Sequence, residues 1–215
     1  MSINFDEIID RRGTSCLKYD FAVERGYPKD VLPFWVADMD FRAPVPVIDA
    51  LTARTAHGIF GYTQVKDDYF NVLRDWFRTR HAWTVQRDEL VITPGVVFAI
   101  ATAIRAYTAP NEAVIIQQPV YYPFASMIRQ NGRTLIDSPL RFADGHYSID
   151  FADFEQKIID HKVKLFVLCS PHNPVGRVWT RAELEQLAAI CLRHHVIVVA
   201  DEIHEEFVRP GFRHI

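Results

Sequence analysis

The chain has 215 residues, of which 49% are hydrophobic and 24% charged, the balance of a globular protein with enough apolar material for a sizeable core. A formal net charge of −3 leaves no basic excess that would ask for nucleic acid or an anionic membrane. Three cysteines with no CxxC spacing exclude a disulfide framework and a thiolate metal site, and buried free thiols are expected at Cys169 and Cys191. The longest apolar run, Val96 to Ile104, is too short to span a bilayer. Acids in the opening MSINFDEIIDRRG stand where a signal peptide needs basic and then apolar residues. A cytoplasmic protein is expected.

The first 45 or so residues are broken by Gly13, Gly26, Pro28, Pro33, Pro44 and Pro46 and read as irregular. They are expected to form an N-terminal arm with part of a small domain (1–45), ahead of a large domain (46–215). Val47 to His57 reads as a helix closed by Gly58. Lys66 to Arg80 carries Tyr69, Phe70, Leu73, Trp76 and Phe77 at helical spacing. Leu90–Ile92 is expected as a short strand, running through Thr93-Pro94-Gly95 into a helix from Val96 to Tyr107. A strand at Ala113–Ile116, a helix at Tyr122–Asn131 and a strand at Thr134–Ile136 follow. Asp150 caps a helix from Phe151 to Asp160. Leu165–Cys169 is an apolar strand, Thr180-x-x-Glu183 opens a helix to Arg193 as a capping box, and Val196–Ala200 is another apolar strand.

Strands that are apolar throughout, alternating with amphipathic helices, predict an α/β fold: a mostly parallel sheet covered on both faces, α/β/α in three layers. The sequence stops soon after its last strand, so the sheet is expected to have an unfinished edge.

In open parallel sheets, ligands bind beyond the carboxyl ends of the strands. The residues placed there are few and chemically distinct. Gly95 with Val96 and Val97 makes a glycine turn into a helix N-terminus, which offers backbone N–H groups to a phosphate or merely turns the chain. Tyr121 can stack on a flat ring or simply pack. Asn173 can donate to a phenolic oxygen, while Asn173-Pro174 makes a turn in any case. Asp201, directly after VIVVA, places a carboxylate at the desolvated mouth of the sheet, where it needs a partner such as a protonated ring nitrogen. Together these are the needs of pyridoxal 5′-phosphate (PLP), whose protonated ring is an electron sink. Asp201, Glu202, His204, Glu205 and Glu206 are local carboxylates without a second histidine at ligand spacing, and HExxH is absent, so no metal is expected.

The residues also carry a resemblance. Ser170-Pro171-His172-Asn173-Pro174-Val175-Gly176 resembles the SPHNPxG motif of fold-type I PLP enzymes. Asp201-Glu202-Ile203-His204 resembles their DEIH motif, with His204 where aminotransferases usually carry tyrosine. Trp35–Phe41 (WVADMDF), Gly61-Tyr62, Gly95-Val96-Val97 and Pro119–Phe124 resemble segments of the MalY/PatB branch, the cystathionine β-lyase-like C–S lyases. The resemblance implies the large domain of a PLP-dependent transferase, incomplete at its C-terminus, and β-elimination from cystathionine or another cysteine S-conjugate. It implies that Gly95, Val96 and Val97 hold the phosphate, Tyr121 stacks on the ring, Asn173 bonds O3′ with help from His204, and Asp201 pairs with the pyridinium. It further implies that Tyr62 reaches the phosphate in a neighbouring subunit of a homodimer, and that Ala37 and Asp38 line the pocket of an amino-acid substrate. The family's Schiff-base lysine lies past DEIH. None of Lys18, Lys29, Lys66, Lys157, Lys162 and Lys164 stands in its motif, so an inactive fragment is expected. An aminotransferase of the same fold, or a non-enzymatic remnant that binds PLP or a partner, are the alternatives.

Overall fold

A computed structural model describes residues 4–215. It divides into two units, Met1–Gln64 and Val65–Ile215; the boundary expected at 45/46 falls inside the first.

The first unit holds one long helix, α1 (Val45–His57). It starts behind Pro44, has proline in its first turn, and is closed by Gly58 at φ 72°, the left-handed conformation glycine adopts without strain. The rest is turns tied by charge. Arg11 binds the Asp38 carboxylate and lies 2.7 Å from Asp40. The buried Lys18 donates to the Asp38 backbone carbonyl at 2.9 Å, and the Tyr19 hydroxyl donates to Asp40 at 3.2 Å.

The second unit carries the sheet. Its helices are α2 (Asp67–Arg80), α3 (Val96–Tyr107), α4 (Pro123–Gln130), α5 (Phe151–His161) and α6 (Arg181–Arg193). Four parallel strands, β1 (Ala113–Ile116), β2 (Thr134–Asp137), β5 (Leu165–Cys169) and β6 (Ile197–Asp201), lie in the order β2-β1-β5-β6. An antiparallel hairpin, β3 (Arg141–Ala143) and β4 (His146–Ser148), stands apart. Side chains alternate across a strand, and here both faces are apolar. Ile115, Phe166 and Leu168 face α5 and α6 through Phe154, Ile158, Leu187 and Ile190. Val114, Ile116, Leu165 and Val167 face α3 and α4 through Ile100, Ile104, Phe124 and Ile128. The expected three-layer α/β/α arrangement is therefore present. β6 is an edge strand, and Ile197 and Val198 on it are exposed.

Two expectations need correction. Leu90–Ile92 is not a strand: it follows a 3-10 turn, Arg87–Glu89, and no described strand pairs with it. Apolar β-branched residues do not hold a strand without a partner, and Val91 is left 80% exposed. The β3–β4 hairpin was absent from the sequence reading, although Asp144-Gly145 is a hairpin-turn pair; both residues have positive φ.

Candidate functional site

The strand order places a crevice. From β1 the chain crosses to β2 on one side, and β5 pairs on the other. The loops after β1 and β5 part there, at the carboxyl ends, where open α/β sheets hold ligands. Residues 117–123 follow β1, and residues 170–177 follow β5. Asp201 ends β6, paired with Cys169 at the end of β5.

Asp201 is 5% exposed. Its Oδ1 accepts the backbone N–H of Ile203 at 3.1 Å, and the Ser170 N–H binds its backbone carbonyl at 3.0 Å. Its carboxylate forms no ion pair among the described residues. Burial pushes its pKa above the ordinary carboxylate range, against the pull of Ile203 N–H and His204. A buried acid so held lacks a cation.

Tyr121 is half-buried and packs on the core beneath α3 and α4 beside Val96 and Val120. Its phenol is pushed up by burial first, then by Tyr122 and by the charge of Asp201. Gly95 sits at φ 144° before α3. The helix opens with no side-chain cap, which leaves the first N–H groups to an outside acceptor. A Cβ built on Gly95 meets nothing within 4 Å, so the approach is open. Asn173 is fixed through its backbone N–H, which donates to Cys169 Sγ at 3.3 Å. Asn173 and His204 both line a cavity of about 560 Å³, with Arg177 and Phe207; Asp201, Tyr121 and Gly95 are not part of its wall.

The second unit thus carries Gly95, Val96, Val97, Tyr121, Asn173, Asp201 and His204, with Asn173 and His204 sharing a cavity wall and Asp201 at the end of β6. Tyr62, Ala37 and Asp38 belong to the first unit. Tyr62 is fully exposed, Ala37 is exposed, and the Asp38 carboxylate is engaged by Arg11, which with Lys18 holds it below its ordinary range. Two further residues at the crevice have no role assigned from sequence. Gln117, next after β1, is buried with its Nε2 unpartnered. His172 is buried against Trp179, and burial lowers its pKa to about 4 against the pull of the Gln117 backbone. Their places directly after strand ends were the available signal. As a set, the site offers uncapped helix N–H groups for an anion, a ring to stack on, amides, and a buried acid that lacks a cation.

Comparison with known proteins places the chain in a family. Residues 29–214 match the family model described as aminotransferase class I and II, and the chain belongs to that family. Over 212 residues it is 45% identical to cystathionine beta-lyase PatB of Bacillus subtilis, covering 99% of this chain and 55% of the relative. To protein MalY of Escherichia coli it is 38% identical, with the same two coverages. The PLP-bound C–S lyase of Staphylococcus hominis superposes with a TM-score of 0.91 at 35% identity, covering 100% of this chain and 55% of that one. The chain spans about half the length of the curated relatives it matches.

Proposed function

We propose that this chain carries the cofactor-binding half of a PLP-dependent carbon–sulfur β-lyase that cleaves cystathionine or another cysteine S-conjugate to a thiol, pyruvate and ammonia. The observation that carries the reading is Asp201: a buried acid with one hydrogen bond and no cation, at a strand end shared with a stacking ring and an uncapped helix. A protonated pyridine nitrogen meets that need, and a phosphate meets the helix. When bound, PLP supplies an electron sink for charge at a substrate α-carbon.

This chain's residues then have distinct tasks. Asp201 keeps the proton on the ring nitrogen. The backbone N–H groups of Gly95, Val96 and Val97 hold the phosphate, and Gly95 keeps the approach open. Tyr121 fixes the ring plane. Asn173 donates to O3′, with His204 beside it. Ala37 and Asp38 are assigned to the substrate side, and exposed Tyr62 to a neighbouring copy in a homodimer. His204 and the WVADMDF segment favour the lyase over transamination. None of the six lysines in these 215 residues stands in the motif that would hold the cofactor, so the chain by itself is assigned cofactor binding without turnover. Among its described residues no helix is long and apolar enough to cross a membrane.

The test is equilibrium binding of PLP to the purified chain, read by quenching of tryptophan fluorescence, together with pyruvate release from cystathionine. Saturable PLP binding that weakens in Asp201→Ala, without pyruvate, supports the reading. PLP binding indifferent to Asp201 overturns the site assignment. Pyruvate from the chain alone overturns the assignment without turnover, and amino transfer to a keto acid overturns the lyase chemistry.

A further inference from the structure

We infer that Glu206 is a pH-sensitive latch: it holds residues 202–215, one wall of the cavity beside Asn173, against the end of α2, and releases them when the facing imidazoles lose their protons. The inference concerns the order of this segment and does not rest on the cofactor reading.

After Asp201 the chain runs on as turns and irregular backbone. The backbone hydrogen bonds of this segment are local: Glu205 N–H to the Glu202 carbonyl, Phe207 to His204, and Phe212 to Arg209. Among the described residues, the hydrogen bonds that tie its side chains to another element both end on Glu206 Oε1. Trp76 Nε1 donates to that oxygen at 2.7 Å, and His81 Nε2 lies 2.8 Å from it. Trp76 is in the last turns of α2 and His81 directly follows that helix. His81 also stands 3.7 Å from Glu205. A second pair, His214 Nε2 and Glu202 at 3.6 Å, closes the segment on itself. The other ring nitrogen, His214 Nδ1, is buried without a partner, so this ring is held from one side. The two imidazoles meet edge-on, 6.3 Å between ring centres. His204, Phe207, Arg209 and Phe212 of the segment line the cavity of about 560 Å³, so the wall moves with the latch.

Three carboxylates, Glu202, Glu205 and Glu206, thus face two imidazoles. Arg80 acts on Glu206 through its charge alone. Arg181 and Arg213 stand in the wall of the space around Glu202, Glu205 and His214, but neither forms an ion pair with the three glutamates among the described residues; Arg181 pairs with Glu185. The histidines are therefore the counter-charge that titrates. The His81 contact holds Glu206 below the ordinary carboxylate range against burial, so its contribution is present above that range and is lost as pH falls through the lower native value. The Glu202 contact raises His214 against burial, so its contribution is present below the ordinary histidine value of about 6.5 and is lost as pH rises through the higher native one. Burial pushes Glu205 up, against the pull of both histidines. The latch is closed in the band between these limits. Above it, the bond to Glu206 loses its charge assistance and the three carboxylates repel one another.

The test is amide hydrogen exchange of the 215-residue chain, read by mass spectrometry at about pH 6 and about pH 8.5 and corrected for the intrinsic rate at each pH. Residues 202–213 are expected to be protected at the lower pH and to lose about five- to ten-fold of that protection at the higher one, the difference between a charged and a neutral hydrogen bond, while β1 and β5 change less. Glu206→Gln keeps an acceptor for the Trp76 N–H and removes the charge, so most of the pH dependence should disappear. His81→Asn keeps a donor that does not titrate and should act alike, which keeps the inference testable if the first variant fails to fold. Equal protection at the two pH values, full pH dependence retained in either variant that folds, or an equal change in β1 and β5 overturns it. No PLP is present in any of these measurements.

Discussion

Asp201 illustrates a group whose cost to the fold is its use to a ligand. Its carboxyl is pushed up by burial. Between the ordinary carboxylate range and that raised value, the folded chain binds more protons than the unfolded one, so stability falls as pH rises through the window and stays lower above it. Asp201→Asn keeps the Oδ1 acceptor for the Ile203 N–H and removes the charge. The PLP-free variant is therefore expected to be more stable at pH 7 by about 1 kcal/mol, with a flatter pH dependence, in thermal melts. The same change should weaken PLP roughly ten- to hundred-fold, the scale of one charge-assisted hydrogen bond. A variant less stable and equally good at binding PLP would refute both halves. Cysteine gives a second residue-level expectation. Burial raises Cys169 and Cys191 to about 11, well above a free thiol. At pH 8 both should resist alkylation in the native chain and react once urea unfolds it, as peptide mass mapping would show. Asp201 was legible from sequence because its place directly after VIVVA put it at the carboxyl end of a strand. The approach of His81 to Glu205 and Glu206 was not, because no local pattern joins residue 81 to that stretch.

At the scale of elements, the local signals that proved reliable were those with a bonded mechanism. Thr180 accepts the Glu183 N–H at 3.3 Å, and Glu183 binds back to the Thr180 N–H at 2.8 Å. Arg177 grips the same carboxylate at 2.9 Å with both nitrogens. Although burial works against it, this grip holds Glu183 below its ordinary pKa. Its contribution is thus present above the unfolded value and is lost as pH falls through the lower native one. Thr180→Ala should cost about 1 kcal/mol, measured by urea denaturation at pH 7. Leu90–Ile92 shows the opposite case: the composition of a strand without a partner to pair with. β6 has one neighbour, β5, and an open side. An unpaired edge carrying exposed Ile197 and Val198 is a template for self-association. Val198→Lys is expected to lower the aggregate fraction in light scattering at equal concentration, leaving the melting temperature within a few degrees. Unchanged aggregation would place the sticky surface elsewhere.

For the whole molecule, burial is divided unequally between the two units. In the first, the only buried described residues are Cys16, Lys18 and Ala22, and α1 buries none. Its order rests on turns and on the Arg11, Lys18, Asp38 and Asp40 charges, whose carboxylates are open to solvent, and charge pairs near solvent contribute little. The second unit packs two apolar clusters against opposite faces of one sheet, and buried apolar area is the dominant stabilising term. The alternation of apolar strands and helices made the second unit readable from sequence, whereas prolines and glycines told only that the first would be irregular. Unequal burial implies unequal opening. In hydrogen exchange with increasing urea, amides of α1 and of residues 4–44 should exchange at low denaturant. Those of β1 and β5, flanked by strands on both sides, should exchange only with global unfolding. Moderate salt should loosen the first unit and spare the second, because screening acts on exposed charges and not on buried apolar contact. Uniform protection along the chain, or a salt effect shared equally by both units, would mean that residues 4–64 draw their stability from something other than their own contacts.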